Sequence, residues 1–329
     1  MIRLMIPEVK RPKTVEELEV AVNSHKNQDV PAFLGQLSLK DDKLFVEDKS
    51  YAVRASGMKG LLGYIKMPSS YASSVPTDLL YDSVNRLTSK TYADKEVLLR
   101  IQDDEVRAIL SPSYVPLDSS ELFKYVSKTK ELGLKPARIT YDGDNLVASM
   151  VTGTEVHAVD TGDISKIGLE LETSDINEFG LSSNAFLFRL ICTNGTILPA
   201  RMSGGLSFSQ KGSNPETVWS LFSNGFSKIL DKMSQVDSDF LIRLQNKKVD
   251  ASNFVKVKNK LSEFVGGRKI SNVLYDMEQE VLEKGVDLTV YDLYNRVTNV
   301  ATTETNIVTA RNLEIAAGEL LFDFGVSVN

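Results

Sequence analysis

The feature that most constrains this chain is the period-two alternation at residues 185–191. Phe186, Phe188 and Leu190 fall on one side of an extended backbone, and Leu187, Arg189 and Ile191 fall on the other. A pleated strand alternates its side chains in this way, so the spacing predicts a partly buried strand. Asn194-Gly195 follows, and both residues tolerate the positive φ of a tight hairpin turn. The return strand, residues 197–208, is interrupted at Gly204-Gly205, where a bulge or a close backbone approach is expected. The pattern places this hairpin at the centre of an antiparallel sheet.

Further hairpins are expected upstream. Residues 96–101 and 106–110 are predicted strands joined through a polar tip, and 138–141 and 146–151 are joined around Asp142-Gly143. Leu169 and Leu171 alternate with Glu170 and Glu172, so the acidic face of that strand is expected in water. Asp118 or Ser119 can cap a helix running to about Leu132, with Gly133 at its end. Earlier in the chain, Thr14 with Glu17 has the spacing of a capping box. Asp41-Asp42-Lys43 reads as a turn between short strands, and the apolar spacing over residues 56–87 favours two helices.

Beyond Asn214 the period becomes helical. Asn214 and Pro215 suit an N-cap and a first helical position. Phe254, Val257, Leu261 and Phe264 form an apolar stripe, although the VKVK within it also alternates like a strand. Ile270, Val273, Leu274, Met277 and Val281 mark the next helix, Thr289 caps another, and a last one covers roughly residues 306–321. The chain is therefore read as α+β: a central antiparallel sheet built of hairpins, helices packed against it, and a mostly helical C-terminal region. Its divisions are an N-terminal mixed or helical region at 1–94, an antiparallel α+β core at 95–236 and a helical region at 237–329.

Composition narrows the function classes. With 42% hydrophobic and 25% charged residues in 329, the chain is that of an ordinary globular protein. Its one cysteine, Cys192, cannot form an internal disulfide. With only His25 and His157 besides, the usual Cys/His zinc sites cannot be assembled. Cys192 reads as a buried small hydrophobe and His157 as a surface or structural residue. Asp103, Asp104 and Glu105, or Asp142 and Asp144, could hold magnesium or calcium, but both sets sit where hairpin turns favour Asp. Residues 56–63 and 201–214 lack the glycine spacing of phosphate-binding loops. No catalytic signature is present, so neither a cofactor nor a resident metal is expected, and the enzyme question stays open with "no" the better reading. No signal peptide or membrane-spanning run is visible, which points to the cytoplasm.

The net charge of −6 is unevenly distributed. Residues 243–269 carry eight basic side chains against two acidic ones, a local +6: Arg243, Lys247, Lys248, Lys256, Lys258, Lys260, Arg268 and Lys269 against Asp250 and Glu263. Residues 271–329 carry ten acidic and three basic side chains, a local −7. The blocks can pair within one subunit, pair between subunits, or leave a basic stripe open to phosphates. In the last case Arg201 and Lys211 could extend a track whose aromatic faces are Phe254 and Phe264. The alternative is a solvated helix face with both phenylalanines in the core.

Three segments carry a family resemblance. VRAILSPSYVPLDSSELF, at residues 106–123, has a strand entering a Tyr-x-Pro-Leu-Asp motif that opens a helix. RLICTNG, at 189–195, holds Cys-x-Asn-Gly, and TVYDLYNRVTNVA, at 289–301, holds Asn-x-x-Thr. In this order they resemble the phage- and plasmid-encoded family known as domain of unknown function 932, over about residues 50–320. Members often carry an Arg-His pair after the position of Gly205, where this chain has Leu206-Ser207-Phe208, so no role for that histidine carries over. The resemblance implies a mobile-element setting in a bacterial host. With the basic block, it leads to the expectation of a non-enzymatic nucleic-acid-binding protein. Single-stranded DNA binding or annealing, or an accessory role in replication or recombination, would suit it, with a homo-oligomer as the form. The alternative is an oligomeric assembly protein, or an inhibitor of host defence, that makes no nucleic-acid contact.

Overall fold

The computed structural model describes residues 11–24, 26–157, 164–189, 197–198, 205–212, 214–233, 246–284 and 288–325. The chain is α+β, with two sheets and a helical C-terminal region. Helix α1 (Val15–Asn23) opens at the predicted cap, where the Thr14 hydroxyl accepts from the Glu17 N–H at 3.1 Å. The first sheet contains β1 (Gln28–Phe33), β2 (Leu37–Lys40), β3 (Lys43–Val46), β4 (Lys49–Val53), β5 (Glu96–Gln102) and β6 (Glu105–Leu110). Its order is β1-β5-β6-β4-β3-β2, antiparallel throughout except for the parallel pair β4–β6. The sequence-based boundary at residue 95 thus falls inside this sheet. The turns at Asp41-Asp42 and Asp103-Asp104 put both central residues at positive φ, as two-residue hairpins require.

Helices α2 (Ala55–Tyr64), α3 (Ser69–Ser74) and α4 (Thr77–Arg86) follow β4. Leu61 and Leu62 of α2, with Ile65 just after it, join Leu99, Val106 and Ile109 of the sheet in one core. Two glycines let α2 lie directly on β6. A Cβ at Gly57 or Gly60 would stand 2.6 Å from the carbonyl oxygen of Val106 or Ile109.

After β6 the chain enters α5 (Ser119–Glu131) and the second sheet. This sheet comprises β7 (Lys135–Tyr141), β8 (Asn145–His157), β9 (Ile164–Ser174), β10 (Leu181–Arg189), β11 (Ile197–Leu198) and β12 (Leu206–Phe208). Its order is β11-β10-β9-β8-β7, and β12 also pairs with β10. The strand predicted at residues 185–191 is the second half of β10. It pairs antiparallel with β11 (Leu187 opposite Leu198), and its first half pairs with β12 (Leu181 opposite Phe208). The turn with Cys192, Asn194 and Gly195 lies outside the described residues. This hairpin is not the centre of the sheet, as the sequence suggested. The central strand is β9, because the long β7–β8–β9 meander supplies two further partners on the other side.

One face of this sheet, with Leu146, Ala148, Met150, Leu169 and Leu171, packs under α5 and α6 (Pro215–Met233). Tyr125 of α5 stacks on Trp219 with centroids 5.6 Å apart and meets Phe222 edge-on at 4.9 Å. Such aromatic pairs add about 0.5–1.5 kcal/mol beyond their buried area. The opposite face carries the second correction. Glu170 and Glu172 are 5% and 1% exposed, not wet. The C-terminal helix brings Arg311 and Glu314 to them.

The C-terminal region begins with a short pair, β13 (Lys248–Val249) and β14 (Leu288–Thr289). Helix α7 (Ala251–Val265) is capped by Asp250, whose carboxylate accepts from the Asn253 N–H at 2.8 Å, so VKVK is helical. Gly266, at φ 87, turns the chain into α8 (Gly267–Lys284). Helices α9 (Val290–Thr303) and α10 (Ile307–Gly325) complete the region, α9 opening on a Thr289/Asp292 capping box. Phe254, Val257, Leu261, Tyr294 and Val297 are fully enclosed, each side chain stabilising the fold by about 1.5–3 kcal/mol.

Candidate nucleic-acid interface

The charged side chains named from the sequence fall mainly into two settings, one buried and one exposed. The first is the seam between the two sheets. Arg107 of β6 is 1% exposed. Its Nε donates to Asp144 at 2.7 Å, and its other nitrogens donate to Asn27 and to the Gly143 carbonyl. Arg54 bridges Glu105 at 2.8 Å and Asp144 at 3.0 Å. Arg100 pairs with Asp118 and donates to the Tyr114 hydroxyl, which donates in turn to the Asp175 carbonyl at 2.8 Å. The Asp175 carboxylate accepts from the N–H and the hydroxyl of Ser119, both at 2.7 Å.

Burial, with Asp175 nearby, pushes the Asp118 carboxyl up to about 6 against the pull of Arg100. Burial likewise raises Asp142 to about 6. Its carboxylate accepts from the N–H groups of Asp144 and Asn145 and so builds the β7–β8 turn. The acidic sets named from the sequence therefore form turns and arginine pairs. Among the described residues no group of three or more His, Cys, Asp or Glu side chains could hold a metal ion.

A second buried network lies between β7–β9 and α10. Arg311 grips Glu172 with two nitrogens, one at 2.5 Å, and Ser182 donates to the same carboxylate at 2.5 Å. Arg138 pairs with Glu314, and Ser149 donates to Glu170 at 3.2 Å. Burial, reinforced by Glu314 and Glu172, pushes Glu170 up to about 8. These groups pair with one another and are largely buried, with Arg138 and Arg311 partly exposed.

The second setting is the α7–α8 hairpin, where most of the predicted basic residues sit. Arg243 and Arg201 lie outside the described residues. Lys247 and Lys248, leading into α7, already interact within the chain. Lys258 is paired with Glu278 of α8 at 2.6 Å, and Lys269 with Glu304 at 2.5 Å. Lys260 lies 3.6 Å from Glu263 and over the Phe264 ring. Two lysines of the +6 block are thus met by carboxylates of the −7 block within one chain. Lys256 and Arg268 are exposed and make no ion pair among the described residues. Lys211 is exposed on a different element, bridged to Tyr114.

Phe254 is fully buried and Phe264 partly so, packed on the core, and neither is a free stacking surface. The aromatic that sequence reading missed is Tyr275, 60% exposed. It lies on α8 at seven residues from Arg268 and three from Asn272, so the three share one helical face. The signal was available, because Tyr275 falls outside the apolar stripe of Ile270, Val273, Leu274 and Met277.

No protein-family profile, curated protein or solved structure matches the chain. Two of the three sequence segments singled out above fall wholly within the described residues. Tyr114 and Asp118 hold Arg100 at the sheet seam. In α9, the buried Thr298 hydroxyl donates to the Tyr294 carbonyl at 3.0 Å. Cys192, His25 and the side chain of His157 lie outside the described residues. No helix among the described residues is long and apolar enough to cross a membrane.

Proposed function

We propose that this is a non-enzymatic nucleic-acid-binding protein of a phage or plasmid, acting in the host cytoplasm with single-stranded DNA as its preferred ligand. A single-strand annealing or recombination accessory role suits such a binder. The observation that carries the reading is the exposed Tyr275 on the same face of α8 as Arg268, one of the last residues of the basic block. A base stacks on the tyrosine ring, while Arg268 and Lys256 take backbone phosphates. The head-to-tail assembly alternative has less support, because Lys258–Glu278 and Lys269–Glu304 pair the opposite charge blocks within one chain.

The test is fluorescence anisotropy with single- and double-stranded oligonucleotides across a salt series. Two or three phosphate contacts give a log–log salt slope of about −1.4 to −2 on single strands. Lys256→Glu/Arg268→Glu should flatten that slope, and Tyr275→Ala should weaken single strands more than duplexes. A flat isotherm at low salt would overturn the reading.

A further inference from the structure

A cleft of about 560 Å³ opens between α2 and the turn that follows β9. It lies apart from the α7–α8 face. Ser56, Lys59, Gly60, Gly63 and Tyr64 line one side of it. On a helix these positions form a single stripe, at i, i+3, i+4, i+7 and i+8. In α2 that stripe is small and polar where a packed helix would be apolar.

Each part has a consequence for a ligand. Lys59 is exposed and makes no hydrogen bond or ion pair among the described residues. The Lys95 ammonium is held at the end of α2, 3.3 Å from the Tyr64 carbonyl oxygen and 4.8 Å above the Tyr64 ring. Gly63 has nothing within 4 Å of where its Cβ would be. Any side chain but proline would favour the helix over glycine there, so the glycine's effect is to keep the cleft open. Ile109, Ile176 and Val308 supply an apolar wall.

The far side is held by hydrogen bonds. Its turn is pinned by Asp175 on Ser119, and by the Glu178 N–H donating to the Ser174 hydroxyl at 3.0 Å. Glu178 itself is engaged, accepting from the Asn145 amide at 2.9 Å. The Asn177 carboxamide, which also lines the cleft, has no hydrogen-bond partner among the described residues.

We infer that this cleft binds a nucleoside phosphate, with Lys59 and Lys95 on the phosphate and the base between the apolar wall and the Asn177 amide. Two cations at the mouth select an anion. An apolar wall with one unpaired amide selects a flat ring with hydrogen-bonding edges. The volume falls in the range of ordinary small-ligand sites. A free nucleotide and the terminal nucleotide of a strand share this chemistry.

The test is isothermal titration calorimetry on the full chain. The probes are deoxyadenosine monophosphate, inorganic phosphate, and a short oligonucleotide with and without a 5′ phosphate. The mononucleotide is expected to bind with Kd on the order of 10–100 μM. Gly63→Leu and, separately, Lys59→Glu should each weaken it by about tenfold or more, while Lys256→Glu/Arg268→Glu should leave it unchanged. That last variant separates this site from the strand-binding face.

Tighter binding of the mononucleotide than of either oligonucleotide identifies the free nucleotide. Binding that requires the 5′ phosphate on the oligonucleotide identifies a strand end. Either outcome supports the site. Equal affinity for inorganic phosphate overturns the nucleoside assignment. No heat with any probe, or nucleotide binding unaffected by Gly63→Leu, overturns the site. If Gly63→Leu fails to fold, Lys59→Glu with Lys95→Met carries the same comparison.

Discussion

Arg107 and Arg268 are the same residue in opposite settings. Arg107 is 1% exposed, with its nitrogens directed at Asp144, Asn27 and Gly143. Arg268 stands in the first turn of α8, exposed, and makes no ion pair among the described residues. The buried arginine joins two sheets and cannot reach a ligand. The exposed one adds little to stability and can reach a phosphate. Summed charge treats both as +1, whereas desolvation separates them: a buried charge must be paired, and an exposed one need not be.

The largest effect expected from this contrast is at the seam. Arg107→Met would leave buried Asp144 with Arg54 as its one arginine and remove the cation 3.5 Å from Asp175, costing about 3–5 kcal/mol. Urea unfolding measures it, and a loss below about 1 kcal/mol would show that the seam does not depend on this pair.

The next largest effect is a pH dependence from the second buried network. Folded, Glu170 keeps its proton up to about 8, whereas its ordinary value is 4.5. The folded state therefore binds more protons than the unfolded chain across that interval. This contribution to stability is full below about 4.5 and is lost as pH rises through about 8. Melting temperature should fall from pH 5 to pH 9, and Glu170→Gln should reduce the slope. An identical slope in the variant would mean that another group controls the transition.

Smaller effects belong to the hairpin. Lys258→Met, which breaks a pair with Glu278 that is about one-fifth exposed, should cost about 1 kcal/mol. Smallest of all for stability is Lys256→Glu/Arg268→Glu, expected within about 0.5 kcal/mol of the parent. Those two substitutions should nevertheless produce the greatest loss of strand binding. Should they destabilise the fold as Arg107→Met does, the distinction between the two settings fails.

The local signals in the chain were accurate where short-range physics decides the outcome. Thr14, Asn214 and Thr289 open helices because their side chains satisfy N–H groups within three residues. The Asp103-Asp104 and Asp142-Gly143 turns, and the strand alternation ahead of Cys192, follow from backbone preference and period. Glu170 and Glu172 show where such reasoning stops. Their alternation with Leu169 and Leu171 is a half-buried pattern, and nothing within ten residues announces that Arg311 will reach Glu172. The same holds for the basic block, whose partners Glu278 and Glu304 lie 20 and 35 residues away from Lys258 and Lys269. Phe254, which the sequence left as either a stacking face or core, is core, while Tyr275 is an exposed ring.

By itself, then, the sequence determined the α+β class, the hairpins, most helix starts and the helical C-terminal region. These depend on residue type and on spacings of a few residues. Only the tertiary structure decided that β5 and β6 complete the first sheet, that β9 is central to the second, and which charges are neutralised. It also decided that α2 and the turn after β9 face each other across a cleft. Each of these is a long-range pairing set by burying apolar faces, and local spacing does not encode which distant element will cover them.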